Sequence, residues 1–462
     1  MFLLLAFIFT LSAASHINAQ GTGALFVVND SGDSMDASPG DGICADANGR
    51  CTLRAAIVES YADTQQNAII FDLPQPAVIN LILGELSVIK SLEIVSPGAR
   101  RLTVRRSTAT GTPNFRIFHV PTGQTTLNIR GIAIRNGNDT LGGGLYVESG
   151  TTVGLYDVAV SGNHATAGGG IANFGTLSIL RSLINSNVAD NQGGAITNAT
   201  SAPSLTITNS TLTDNSASFG GAIDNGGSLL LINDTISRNS ASLGSSGVFN
   251  NPLGTVQVLN TIIGRDSSGG VPMIQGRFQS LGNNIVTDAH ASTGFISGVN
   301  GDQISFDNSL DPLLGNLADN GGQTDTLASL AGSPAIGNAN SCILNGRCPQ
   351  LPLVFIHGSM DQRRYNRRGF TTTIDVGAFN QVDAFSVGLA TIAFGIFPRG
   401  SVGRYTNSPV ILTNARTLEK RYSLVKPVGT VSFTSVLTND VYILEEFFEK
   451  PLQMCRLLSI VG

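Results

Sequence analysis

The chain reads as an all-β protein, a right-handed parallel β-helix, on three observations. Gly142-Gly143-Gly144-Leu145, Gly168-Gly169-Gly170-Ile171, Gly193-Gly194-Ala195-Ile196 and Gly220-Gly221-Ala222-Ile223 recur every 25 to 27 residues, and such a period marks a solenoid. Asn163, Asn187, Asn215 and Asn239 run in step with the glycines, each shortly before the next one. Between the markers, apolar residues alternate at strand period rather than helical period. The runs are short, rich in Ile, Leu, Val and Thr, and broken by Gly, Asn and Ser, so each unit is one coil of strands joined by bends.

Residues 1–19 begin Met1-Phe-Leu-Leu-Leu-Ala-Phe-Ile-Phe and reach small residues at Ala13, Ala14, Ser15 and Ala19, the pattern of a secretory signal peptide. The apolar run is too short to span a bilayer. The expectation is an exported protein, secreted or held at the cell surface. In that compartment Cys44 with Cys51, and Cys342 with Cys348, pair as two small-loop disulfides, leaving Cys455 over. Scattered histidines and the lack of a C-x-x-C spacing argue against zinc.

Residues 20–68 read as an N-terminal cap, because a β-helix exposes unpaired edges at its ends. Thr52 to Ala62 is the strongest helical segment, with Thr52 as N-cap and Leu53, Ala56, Ile57, Ser60 and Tyr61 along one face. Before it, Asp30, Asp33, Asp36, Asp41 and Asp46 crowd a Gly/Ser-rich loop, an oxygen-rich composition suited to Ca²⁺. Their spacing fits no EF-hand. The preferred reading has no cofactor, with Ca²⁺ at Asp30, Asp33 and Asp36 as the alternative.

Residues 69–300 are the coils, roughly nine of them at about 4.8 Å each. Leu177, Ile179 and Ile184 should point into the lumen and stack on Leu205, Ile207 and Leu212, then on Leu229, Leu231 and Ile236. The Asn163, Asn187, Asn215 and Asn239 set should form a hydrogen-bonded ladder at one bend. The glycines suit bends with positive φ or close backbone approach. Arg100, Arg101, Arg105 and Arg106 flank Leu102-Thr103-Val104 and read as a solvated strand in preference to an anion site.

Cys44 and Cys51-Thr52-Leu53-Arg54-Ala55-Ala56-Ile57, after Phe26-Val27-Val28-Asn29-Asp30, resemble the CSLREA domain of exported bacterial β-helix proteins. Ala55 replaces that motif's glutamate, removing the partner that would complete a capping box with Thr52. Leu310 to Leu327, Gly332-Ser333-Pro334-Ala335-Ile336, Asp361-Gln362-Arg363 and Asp375-Val376-Gly377-Ala378-Phe379 resemble the choice-of-anchor Q domain. Residues 301–380 are therefore expected to form a C-terminal module closing the far end of the rod. The coils are also similar to polymorphic outer-membrane protein repeats. Residues 381–462 read as a β-rich or anchoring tail.

Charged residues make up 13% of the chain, the net charge is -5, and four of 27 basic residues are lysine, which argues against nucleic acid. The function expected is a non-catalytic adhesin or surface scaffold, binding a surface glycan or protein through its polar coil faces. The alternative is a polysaccharide lyase or glycoside hydrolase using Asp214, Asp224, Asp234 and Arg238. In register, Asp214 stacks between Ser186 and Arg238, and Asp234 on Ser210 and Ser182. The preferred reading makes these acids solvent-facing turn residues, with Asp214 and Arg238 as a weak surface pair. Triplets at Asn138, Asn198, Asn209 and Asn233 match the N-glycosylation pattern through composition alone.

Overall fold

A computed structural model describes residues 23–381, apart from 63–64, 201–203, 265–270, 346–347, 349–350, 352–358 and 368–372, together with six strands beyond residue 381. The signal-peptide segment and Cys455 lie outside the described residues.

Each coil visits up to four parallel sheets in turn. Sheet I has ten strands, from Leu25–Val28 to Gln279–Gly282, and sheet II has ten, from Ala77–Leu81 to Gln303–Ile304. Sheet IV is five short strands, Asn138–Leu141 to Ser240–Ala241, and sheet III is nine, Leu86–Ser87 to Ala291–Thr293. The predicted register holds: Leu177 pairs with Leu205 and then Leu229, Ile179 with Ile207 and Leu231, and Ile184 with Leu212 and Ile236. These side chains belong to one buried apolar column that runs from Phe26 to Ile304. Each coil alone could not bury its own apolar face, so the column is what stabilises the stack.

The bends follow from sterics. Gly142, Gly168, Gly193 and Gly220 all have φ of 62 to 65°, a region where a Cβ is strained. A Cβ on Gly168 would also lie 2.3 Å from the Ile171 carbonyl oxygen. Two further bends use left-handed residues other than glycine: Asp157, Arg181, Asn209, Asn233, Asn260 and Asn283 between sheets I and II, and Ser186, Asp214 and Arg238 between sheets II and IV.

Buried polar groups are paired along the rod in three ladders. In the predicted one, the Nδ2 atoms of Asn163, Asn187 and Asn215 donate to the Oδ1 of the next asparagine at 2.9, 3.0 and 2.9 Å. A second, Asn173, Asn198, Asn225 and Asn250, links side chain to side chain at 2.7 to 2.8 Å. A third runs Ser182, Ser210, Asp234, Thr261, Asn284 and Asp302, each side chain accepting from the backbone N–H one coil earlier. Asn198, Asn209 and Asn233 are fully buried, so their triplets offer no acceptor in the folded chain.

The N-terminal helix α1 spans Leu53–Glu59, followed by a 3-10 turn at Ser60–Ala62, and Thr52 caps it by accepting from the Ala55 N–H at 3.0 Å. The amphipathic reading is too simple, because Arg54, Ala55 and Glu59 are buried as well. Arg54 pairs with Asp33 at 2.7 Å, and Glu59 accepts from the Gly40 N–H at 2.7 Å, so the preceding loop folds over the helix. The Cys44–Cys51 and Cys342–Cys348 disulfides are both formed.

The C-terminal module departs from expectation. It does not simply close the far end but runs back along the bend between sheets I and II. Leu317 packs on Ala99, Ala133, Ala159 and Leu183, while Leu314, Leu327, Ala335 and Val376 pack on Ile262 and Ile285. Ile343, Cys348 and Ile374 pack on Ile232, Leu259 and Leu281. The physical cause lies in the coils: their outward residues at this bend are apolar and need cover. Arg100 stays exposed, as expected, and there pairs with Asp319 and Asp325 of the module at 2.9 and 2.8 Å.

Beyond residue 381 a second compact unit is antiparallel, with Pro409–Asn414 paired to Lys420–Leu424 and Asp440–Glu446, and Asp440–Glu446 to Arg456–Ile460. No helix among the described residues is long and apolar enough to cross a membrane.

Candidate functional site

The four residues of the catalytic alternative do not converge. Asp214 sits at the bend between sheets II and IV, exposed, and its Oδ2 accepts from Thr213 Oγ1 at 2.9 Å. Arg238 stacks on it in register but turns away, donating to the Leu314 and Gly315 carbonyls at 3.4 and 2.8 Å. The expected surface pair is therefore absent, because two backbone acceptors of the module outcompete one exposed carboxylate. Asp234, expected in solvent, is fully buried at the opposite bend, accepting from the Ser210 and Ile232 N–H groups at 2.8 and 3.0 Å. Burial pushes its carboxyl well above the usual range, against those two bonds and the nearby Arg367 charge. Asp224 is also misplaced by the solvent-facing reading: it projects outward from sheet III yet is only 4% exposed.

The bend under the module collects further charges, each paired with a side chain or a backbone group. Asp157 accepts from Arg181 at 3.0 Å and from Arg364 at 2.8 and 3.2 Å. Burial alone would raise its pKa, but the bonds from Arg364 and Arg181 outweigh it and hold the carboxyl below its ordinary value. Arg367 is fully buried and donates to Asn209 Oδ1 at 2.9 Å and to the Gly377 carbonyl at 2.7 Å. Burial lowers its pKa to about 10. These residues fasten the module to the coils.

A more chemically loaded cluster lies on sheet III in the early coils, where the glycine repeat is weak. His119 and Tyr146 are partners on adjacent coils, and their rings stack at 5.2 Å with a 9° interplanar angle. His119 Nδ1 is 2.8 Å from Glu85 Oε1, and Nε2 is 2.9 Å from Glu148 Oε1. Arg116 reaches Asp139 at 3.1 Å and lies 2.8 Å from Glu85 Oε2, with its Nε–H off the line of that oxygen. Its guanidinium also sits 4.9 Å from the Tyr146 ring centre. Glu85 is held in place from the cap, since Arg54 donates to the Gly84 and Glu85 carbonyls at 2.6 and 2.9 Å.

The electrostatics are those of a closed circuit. The Glu85 bond raises the His119 pKa first, then burial opposes it and the Glu148 bond adds to it. Burial would raise Glu85, but His119 and Arg116 together bring it below its ordinary value. Glu148 is lowered, most by the Thr122 hydroxyl. With the imidazole protonated, both ring nitrogens donate and each carboxylate has a charged partner. The sequence signal was available: Phe118-His119-Val120 and Leu145-Tyr146-Val147 carry one pattern, but without the glycines nothing phased the first of them.

Farther along sheet III, Asp224 Oδ1 accepts from Asn251 Nδ2 at 3.0 Å, and burial raises its carboxyl to about 6. On sheet IV, His164 lies 3.1 Å from Asp190 and 3.2 Å from Asn138. The calcium candidates are each committed elsewhere. Asp33 holds Arg54 and the Ile82 and Leu83 N–H groups, Asp36 accepts from the Ser38 and Ala45 N–H groups, and Asp30 faces Gly32 and Arg50. Among the described residues no three acids, histidines or cysteines are grouped to hold a metal ion.

No family model matches the chain, and no curated protein matches it. Among solved structures it is similar to pectate lyase Pel9A at 14% identity and a TM-score of 0.45, over 78% of this chain and 96% of that one. It is also similar to the A-module of the Azotobacter vinelandii mannuronan C-5 epimerase AlgE4 at 12% identity and a TM-score of 0.19, over 59% of this chain and 94% of that one.

Proposed function

We propose that the chain is a non-catalytic binding rod, an adhesin or surface scaffold displayed outside the cell, whose recognition surface is the outer face of sheet III. One observation carries this reading: the titratable groups around His119, at the Tyr146 end of that face, are already paired with one another. His119 occupies the space between Glu85 and Glu148, where a glycosidase would need room for a sugar and a water. Arg116 is engaged with Asp139 and Glu85 in the same way. What such a face offers a ligand is shape, ring surface and fixed charge, and these support binding over turnover.

A carbohydrate-active enzyme is the second reading, favoured by Asp224, whose pKa of about 6 suits a general acid. Among the described residues its one hydrogen-bond partner is the Asn251 amide, not a second carboxylate. The test is a screen of the intact protein against neutral, acidic and basic polysaccharides, scoring retention, new reducing ends and unsaturated uronate absorbance. Retention without cleavage is the expected result. Cleavage abolished by Asp224→Asn overturns the proposal.

A further inference from the structure

We infer that the outer face of sheet III between Tyr146 and Phe249 is a binding track for a basic glycan, an amino-sugar oligosaccharide. The inference rests on the binding-rod reading and gives that rod a ligand class. Tyr146, Ala172, Thr197, Asp224 and Phe249 are successive outward residues on adjacent coils. Four coil steps separate the ends, a span of about 19 Å. Ala172 and Thr197 are small and buried, so they form a low floor beneath the half-buried rings at either end. At one end Tyr146 meets Phe174 edge to face at 5.6 Å, and at the other Phe219 meets Phe249 at 5.4 Å. All four rings are half-buried, each keeping some surface to solvent. The Phe219 and Phe249 rings can accept the C–H faces of sugars and attract ammonium groups, while the Tyr146 ring already carries His119 and Arg116.

Asp224 gives the track its chemistry. It points outward from the sheet, is 4% exposed, and has a single hydrogen-bond partner among the described residues, the Asn251 amide. An ionised carboxylate has acceptor capacity for several donors, and a buried one without them is costly. An ammonium group seated above it would supply both charge and donors. The surrounding charge points the same way: Glu85, Asp139 and Glu148 lie at the Tyr146 end against Arg116 and His119. A uronate chain would be repelled and a glucosamine chain attracted. The coil spacing is similar in size to the repeat of an extended pyranose chain, so successive sugars can meet successive coils.

The experiment is calorimetric titration of the intact protein with a glucosamine hexamer, its fully N-acetylated counterpart, and hexalysine. The expected result is preference for the glucosamine oligomer, with affinity falling as pH drops through about 6, where Asp224 takes up its proton, and falling again at higher pH as the amino sugars lose theirs. Asp224→Asn and Phe249→Ala should each weaken binding about tenfold or more, with circular dichroism showing intact strands, while Asp214→Asn, off the track, should not. Unchanged affinity in both track variants, or preference for the acetylated oligomer, overturns the inference. Equal or tighter binding of hexalysine overturns it in favour of basic peptides. If glycans are retained in the polysaccharide screen yet the track variants bind as wild type does, only this inference falls. If nothing is retained, the binding-rod reading falls with it.

Discussion

At the scale of single residues, what decides behaviour is whether a charge found its partner. His119 has its pKa raised from 6.5, so its contribution to stability is fully present below 6.5 and fades as pH rises through the higher folded value. Glu85 and Glu148 are lowered from 4.5, so theirs is present above 4.5 and fades as pH falls. The cluster should hold best between those limits. The difference in melting temperature between wild type and His119→Gln, followed from about pH 4 to 9, should peak inside that window; a flat difference would remove the ion pairs from the explanation. Asp234 behaves oppositely to an exposed carboxylate. Its folded pKa is raised, so the stability linked to its protonation is present in acid and lost as pH rises. Asn284 occupies the equivalent rung as an amide, so Asp234→Asn should keep the acceptor for the Ser210 N–H and remove the charge, giving up only the bond from the Ile232 N–H. We expect a gain of roughly 1 kcal/mol near pH 8 and a shallower pH profile in urea titrations; a loss at every pH would mean the ionised form is needed.

At the scale of elements, the ladders matter more than the strands they join, because the strands are short and the bends are where backbone groups would go unpaired. Asn215 shows the dependence. It donates to Asn239 and the Ile184 carbonyl and accepts from the Asn187 N–H and side chain. Asn215→Ala would leave several of these groups buried and unmade, with an expected loss of about 2–4 kcal/mol. The half-exposed Asn185, on a strand face, should lose under about 0.5 kcal/mol when changed to Ala. Equal losses at the two sites, measured by denaturant midpoint, would refute a special role for the ladder. The cap helix is an element of the same kind. Arg54 links it to Asp33 on one side and to Gly84 and Glu85 on the other, so Arg54→Ala should loosen both the cap and the Glu85 arm of the sheet III cluster.

At the scale of the whole rod, a repetitive stack is coupled mainly to its neighbours, and the C-terminal module adds a long-range brace. Its apolar residues cover the outward side of the bend between sheets I and II from Ala99 to Ile285, and Arg364 and Arg367 reach Asp157 and Asn209. Leu317→Asp would set a charge against Ala99, Ala133, Ala159 and Leu183. We expect proteases to enter residues 306–381 in that variant while hydrogen exchange in the coil core stays slow. Simultaneous loss of protection in both would show that the brace and coils form one cooperative unit.

The sequence by itself determined the coil. The glycine and asparagine periods set its length, the alternation set which side chains enter the lumen, and Asp214 over Ser186 and Asp234 over Ser210 followed from the phase marks. Local sterics and strand periodicity act over a few residues, so a single chain displays them. Tertiary structure decided what the outward residues do. Whether Asp234 meets water or the module, whether Arg238 takes Asp214 or the Gly315 carbonyl, and whether His119 lies between two carboxylates depend on partners that are dozens of residues away and share no motif. Burial and charge pairing are set by those distant neighbours. The acids that looked alike in the sequence are for that reason a surface turn residue, a ladder rung and the floor of a track.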